Sequence, residues 1–83
     1  MRLPRDLSGE EVARLLGRHY GYRTRRTRGS HMTVVAETPG GTRHSVTVPR
    51  HRNVSLGTLD AIVGDVAEAF GLDKVAVRET LFG

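Results

Sequence analysis

Two stretches of this chain, residues 31–37 and 43–49, alternate side-chain character with a period of two, and a Pro39-Gly40-Gly41 segment lies between them. Successive side chains of a strand point to opposite faces, so Met32, Val34 and Ala36 share one face while His31, Thr33, Val35 and Glu37 share the other. In the second stretch His44, Val46 and Val48 alternate with Arg43, Ser45 and Thr47. A three-residue turn at Pro39-Gly40-Gly41 sets Thr38 opposite Thr42 and pairs Ala36 with His44, Val34 with Val46 and Met32 with Val48. The aliphatic residues of the hairpin then line one face, and the same register places His31 opposite Pro49.

An apolar sheet face must be covered, and the flanking sequence supplies two amphipathic helices. Ser8-Gly9-Glu10-Glu11 has the form of a capping box, and Val12, Leu15 and Leu16 form the stripe of a helix ending near Tyr20, with Gly21 as its left-handed stop. Leu59, Ile62, Val63, Val66 and Phe70 form a clearer stripe that ends at Gly71. Asp73 can cap a short final helix to about Leu81, packed through Val77 and Leu81. With 83 residues there is room for one domain, residues 1–83, with a small core. The expected fold class is α+β: a two-layer sandwich of helix, three-stranded antiparallel sheet and helix, with a short extra C-terminal helix.

The third strand is Tyr22 to Arg28, which carries no aliphatic residue and suits a sheet edge, where arginines discourage pairing with another chain. A two-residue Gly29-Ser30 turn sets Arg28 opposite His31 and Arg26 opposite Thr33. Both arginines then share the face of His31, whereas Arg23 and Arg25 point toward the helices. A bulge at Gly29 would reverse that parity.

Charge is unevenly distributed. Residues 1–55 hold eleven Lys/Arg against four Asp/Glu, a balance of +7, and residues 56–83 hold two against five, a balance of −3. A polyanion is the partner that such a cationic segment suits. No stretch is apolar enough for a membrane span, and there is no cysteine, which suits a reducing, cytoplasmic setting. His44 and His51 lack a third ligand for a metal, and the Gly40-Gly41 pair reads as a turn rather than a phosphate loop.

By parity His31 lies on the sheet face that the helices leave open. Arg28 sits across the preceding turn, Arg26 two residues back, and Pro49 leads directly into Arg50-His51-Arg52. An accessible imidazole among these arginines can cleave RNA: the 2′-hydroxyl is the nucleophile, His31 takes its proton, and the arginines stabilise charge on the phosphate oxygens. Such a reaction needs no cofactor. His51, a water or the leaving group itself can return the proton. A bland reading stands beside this one, in which the same patch only binds RNA.

The ordered motifs Leu3-Pro4, the capped first helix, Gly21-Tyr22, Gly29-Ser30-His31, Val46-Thr47-Val48-Pro49-Arg50-His51 and Gly57-Thr58-Leu59 followed by Ile62 carry a resemblance. Together they are similar to HicA-type toxins, the mRNA interferases of type II toxin–antitoxin pairs. The resemblance implies a fold like a double-stranded RNA-binding domain and metal-independent cleavage of mRNA. It also implies a catalytic His31 supported by Gly29 and Ser30, and neutralisation by a HicB-type antitoxin in a hetero-oligomer. The residues beyond Gly71 extend past the shortest relatives of this kind.

Overall fold

Ser8 starts the first helix as the sequence requires. In the computed structural model, which describes residues 3–83, its hydroxyl accepts from the Glu11 amide at 3.1 Å, and the Glu11 carboxylate accepts from the Ser8 amide at 2.9 Å. This reciprocal box opens α1, Gly9–Tyr20, which ends at Gly21 in the left-handed region with φ 77°. The Glu11 carboxyl is held below the usual carboxylate range by the Ser8 backbone first and the Ser8 hydroxyl second.

Three antiparallel strands follow in the order β1-β2-β3: β1 Arg23–Arg28, β2 His31–Glu37 and β3 Arg43–Pro49. The β2–β3 ladder has the register read from the alternation, from His31 opposite Pro49 to Glu37 opposite Arg43. The turn closes with the Thr38 amide donating to the Thr42 carbonyl at 2.8 Å, and Gly41 supplies φ 85°. Met32, Val34, Ala36, Val46 and Val48 are buried on one face, against Val12 and Leu16 of α1 and Leu59, Ile62, Val63 and Val66 of α2, Leu56–Phe70. The architecture is a two-layer α+β sandwich in the expected element order.

The edge strand differs from expectation in one respect. Arg28 faces His31 and Arg26 faces Thr33, but the register shifts between Thr24 and Arg26, leaving Arg25 as an extra residue and setting Arg23 opposite Val35. Arg23 therefore shares the open face and does not point toward the helices. The bulge falls at Arg25, not at Gly29, because no aliphatic side chain in this strand pins its register.

Two further apolar side chains complete the core. Tyr22 and Val54 are both buried, although one stands beside the arginine-rich edge and the other just beyond the polar loop. The last helix, α3, spans Lys74–Phe82 and buries Val77 and Leu81. Asp73 occupies its N-cap position without a side-chain capping bond. Lys74 and Arg78 of this helix reach Asp60 of α2 at 2.9 and 3.9 Å, so the cations of the acidic C-terminal segment are engaged locally. Among the described residues no helix is long and apolar enough to cross a membrane.

Candidate nucleic-acid interface

His31 is the first residue of β2 and is exposed on the open face. A two-residue turn puts it there: Gly29 has φ 58°, as the first central position of a II′-type hairpin turn requires, and Ser30 follows with negative φ. A side chain at Gly29 would be strained by that backbone conformation even though open space surrounds it.

The Arg50-His51-Arg52 loop is fixed beside this turn by its backbone. The Arg50 amide donates to the Ser30 carbonyl at 2.6 Å, and the His51 carbonyl accepts from the Gly9 amide at 2.9 Å. Gly9 is buried at this junction. A Cβ there would stand 1.9 Å from the Pro49 carbonyl oxygen, so the helix start and the strand end approach at a distance only glycine allows. The α1 N-terminus, the Gly29-Ser30 turn and the 50–52 loop thus form one backbone-bonded corner with His31 at its edge.

The charges at this corner are not all free. The Arg50 guanidinium Nε donates to Glu10 at 3.1 Å, with side chains 45% and 54% exposed. Its own backbone amide first, and Arg50 second, hold the Glu10 carboxyl below the usual carboxylate range. The Arg50 backbone is bonded to the turn that precedes His31, while its charge is shared with a carboxylate of α1. Arg26, Arg28, His51 and Arg52 are exposed, and among the described residues none of their side chains has a hydrogen-bond or ion-pair partner.

The open face extends well beyond His31. Arg23, Arg26 and Arg28 of β1 and Arg43 of β3 flank it, against Glu37 alone among acidic residues of the strands. A cleft of about 680 Å³ lies at the other end of the sheet, where Arg23, Arg25, Glu37 and Arg43 meet Tyr20 at the end of α1. His31 does not line that cleft and stands on the exposed surface at the opposite end of β2.

The remaining histidines are placed by the fold. His44 is half-buried, and its Nδ1 lies 2.8 Å from the Tyr22 hydroxyl, while His19 is exposed in the last turn of α1. Burial first, and Asp65 second, push the Tyr22 phenol up to about 12. Among the described residues no three His, Cys, Asp or Glu side chains group as a metal site.

A family model described as the HicA toxin of bacterial toxin–antitoxin systems matches residues 9–72, from the first turn of α1 past the end of α2. The chain belongs to the HicA toxin family. Neither the curated proteins nor the solved structures yield a match. The matched span contains the whole sheet and the corner around His31, and it leaves α3 outside. As a HicA toxin, the protein is the toxic member of a pair that includes an antitoxin partner.

Proposed function

We propose that this HicA toxin is an endoribonuclease that cuts mRNA without a metal or cofactor, with His31 as its catalytic base. The observation that carries the reading is the placement of His31: an exposed imidazole on the open sheet face, with Arg28 directly across the strand pair and the Arg50-His51-Arg52 loop bonded to the preceding turn. Gly29 and Ser30 act by shaping that turn.

RNA brings its own nucleophile. His31 removes the proton of a ribose 2′-hydroxyl, the 2′-oxygen attacks the adjacent phosphorus, and the bond to the 5′-oxygen of the next nucleotide breaks. One fragment ends in a 2′,3′-cyclic phosphate and the other begins with a 5′-hydroxyl, whose proton comes from His51 or water. Arg28 and Arg52 offer fixed positive charge to the phosphate oxygens as charge builds on them, with Arg26 holding the strand alongside. General acid–base assistance is worth about 10²–10⁴ in rate, sufficient for a slow, toxic cleavage of mRNA in the cytoplasm.

The antitoxin in this reading is a HicB-type protein that forms a hetero-oligomer with the toxin and covers His31 and the 50–52 loop. Its contacting surface carries carboxylates that match those arginines. The deciding experiment incubates purified toxin and its His31→Ala form with RNA in chelator and examines the ends. Cyclic-phosphate fragments from the parent alone support the reading. Salt-sensitive RNA binding by both proteins, without product from either, would instead make this domain a binding module.

A further inference from the structure

We propose that the cleft at the end of the sheet remote from His31 is a second RNA subsite, which holds the phosphate and base of a nucleotide several positions from the scissile bond. This rests on the ribonuclease reading above and names where the rest of its substrate lies.

Three observations place it. The bulge at Arg25 rotates Arg23 onto the open face, so that Arg28, Arg26 and Arg23 lead along one edge from His31 to the cleft. Arg43 closes the cleft from β3, opposite Glu37, and Arg25 adds a third guanidinium to its lining. The cleft volume, about 680 Å³, suits a small ligand of nucleotide size.

The geometry fits a continuous strand. Along β2 the path from His31 to the Val35–Glu37 end is four to six residues, or about 13–20 Å, which roughly four to six stacked nucleotides span. Within the cleft, Arg23, Arg25 and Arg43 attract the phosphate. Glu37 repels phosphate, which directs the base toward it; a carboxylate accepts from an exocyclic amine, so amino-bearing bases are favoured there over uracil. The half-buried Tyr20 ring, braced edge-on by Phe70 with centroids 5.2 Å apart, adds aromatic surface to the same wall.

The test uses the full chain carrying His31→Ala, so that RNA is bound without being cut, with single-stranded oligonucleotides of 4 and 12 nucleotides. Adding Arg23→Gln and Arg43→Gln should weaken 12-mer binding by roughly tenfold and flatten its salt dependence by about 0.7 in log–log slope, the share of one phosphate. Binding of the 4-mer should change by less than about twofold, and Arg23→Lys with Arg43→Lys should recover most of the loss. In the active protein the same Gln pair should raise KM for the 12-mer while kcat stays within about twofold. Equal losses for both lengths, or no loss for either, would overturn the subsite. So would a loss confined to antitoxin binding, which would give the cleft to the protein partner. If length-dependent binding appears but the parent cuts no RNA, the subsite stands and the nuclease reading falls.

Discussion

The amide of Arg50 donates to the carbonyl of Ser30 at 2.6 Å, joining the end of β3 to the turn that presents His31. The bond makes the position of the basic loop a property of the sheet and not of loop flexibility. Behind it, α1 is pressed against the same strand end through Gly9. Gly9→Ala places a methyl 1.9 Å from the Pro49 carbonyl and forces the strand end or the helix to shift. We expect it to lower unfolding free energy by about 1–3 kcal/mol in chemical denaturation. RNA cleavage at a temperature where the variant is still folded should fall as well. Unchanged stability would show that this approach is not tight in solution.

Arg50 and Arg52 differ in what holds their charges. Arg50 is paired with Glu10, whereas Arg52 has no ion-pair partner among the described residues. Arg52→Glu should therefore reduce RNA affinity more than Arg50→Glu, and Glu10→Gln, by releasing Arg50, should increase affinity by roughly twofold or more at low salt. Fluorescence anisotropy on the His31→Ala background measures all three. Weaker binding by Glu10→Gln would mean that Glu10 serves to aim Arg50 at RNA.

Strand parity made most of this arrangement readable from the chain. The β2–β3 register follows from the alternating aliphatics, since a slip of one residue would put Val34 on the face opposite Val46 and Val48. The same reasoning failed in β1, because RTRRTR contains nothing that must be buried, and so the Arg25 bulge and the open-face position of Arg23 left no trace in the pattern. The Arg50–Glu10 pair joins residues forty positions apart and follows only from the packing of α1 on the end of β3. Tyr22 is buried although it lies next to an arginine, because its hydroxyl finds His44. The α1 capping box was legible because all of its partners lie within four residues.

Tyr22 and His44 lead to a prediction at alkaline pH. The Tyr22 phenol is raised from 10.0 to about 12 by folding, so its stabilising contribution is complete below pH 10 and is lost as pH rises from there through about 12. Tyr22→Phe should remove that part of the alkaline decline, and its loss of the hydroxyl partner should cost about 0.5–1.5 kcal/mol at neutral pH. Parallel denaturation curves at pH 8 and above pH 10 check both. An identical alkaline slope in Tyr22→Phe would contradict the assignment.

At the acid end the sign reverses. Glu10, Glu11 and Asp60 all have carboxyls held below their usual range in the folded protein, so their contributions are present above the unfolded-state carboxylate range and disappear as pH falls through the lowered values. Glu11→Gln removes the carboxylate that accepts from the Ser8 amide. It should lower stability at neutral pH and flatten the acid limb of the stability profile. Thermal unfolding followed between neutral pH and the acid transition should show both changes, and an unaltered acid limb would contradict the Glu11 assignment.

The most direct measurement is the rate of RNA cleavage by the purified parent, His31→Ala and His31→Gln, in chelator, with the fragment ends identified. The parent should release fragments ending in cyclic phosphate, and both variants should retain the fold by circular dichroism while cutting at least about 100-fold more slowly. A folded His31→Ala protein that cuts RNA as fast as the parent would contradict the catalytic role of His31.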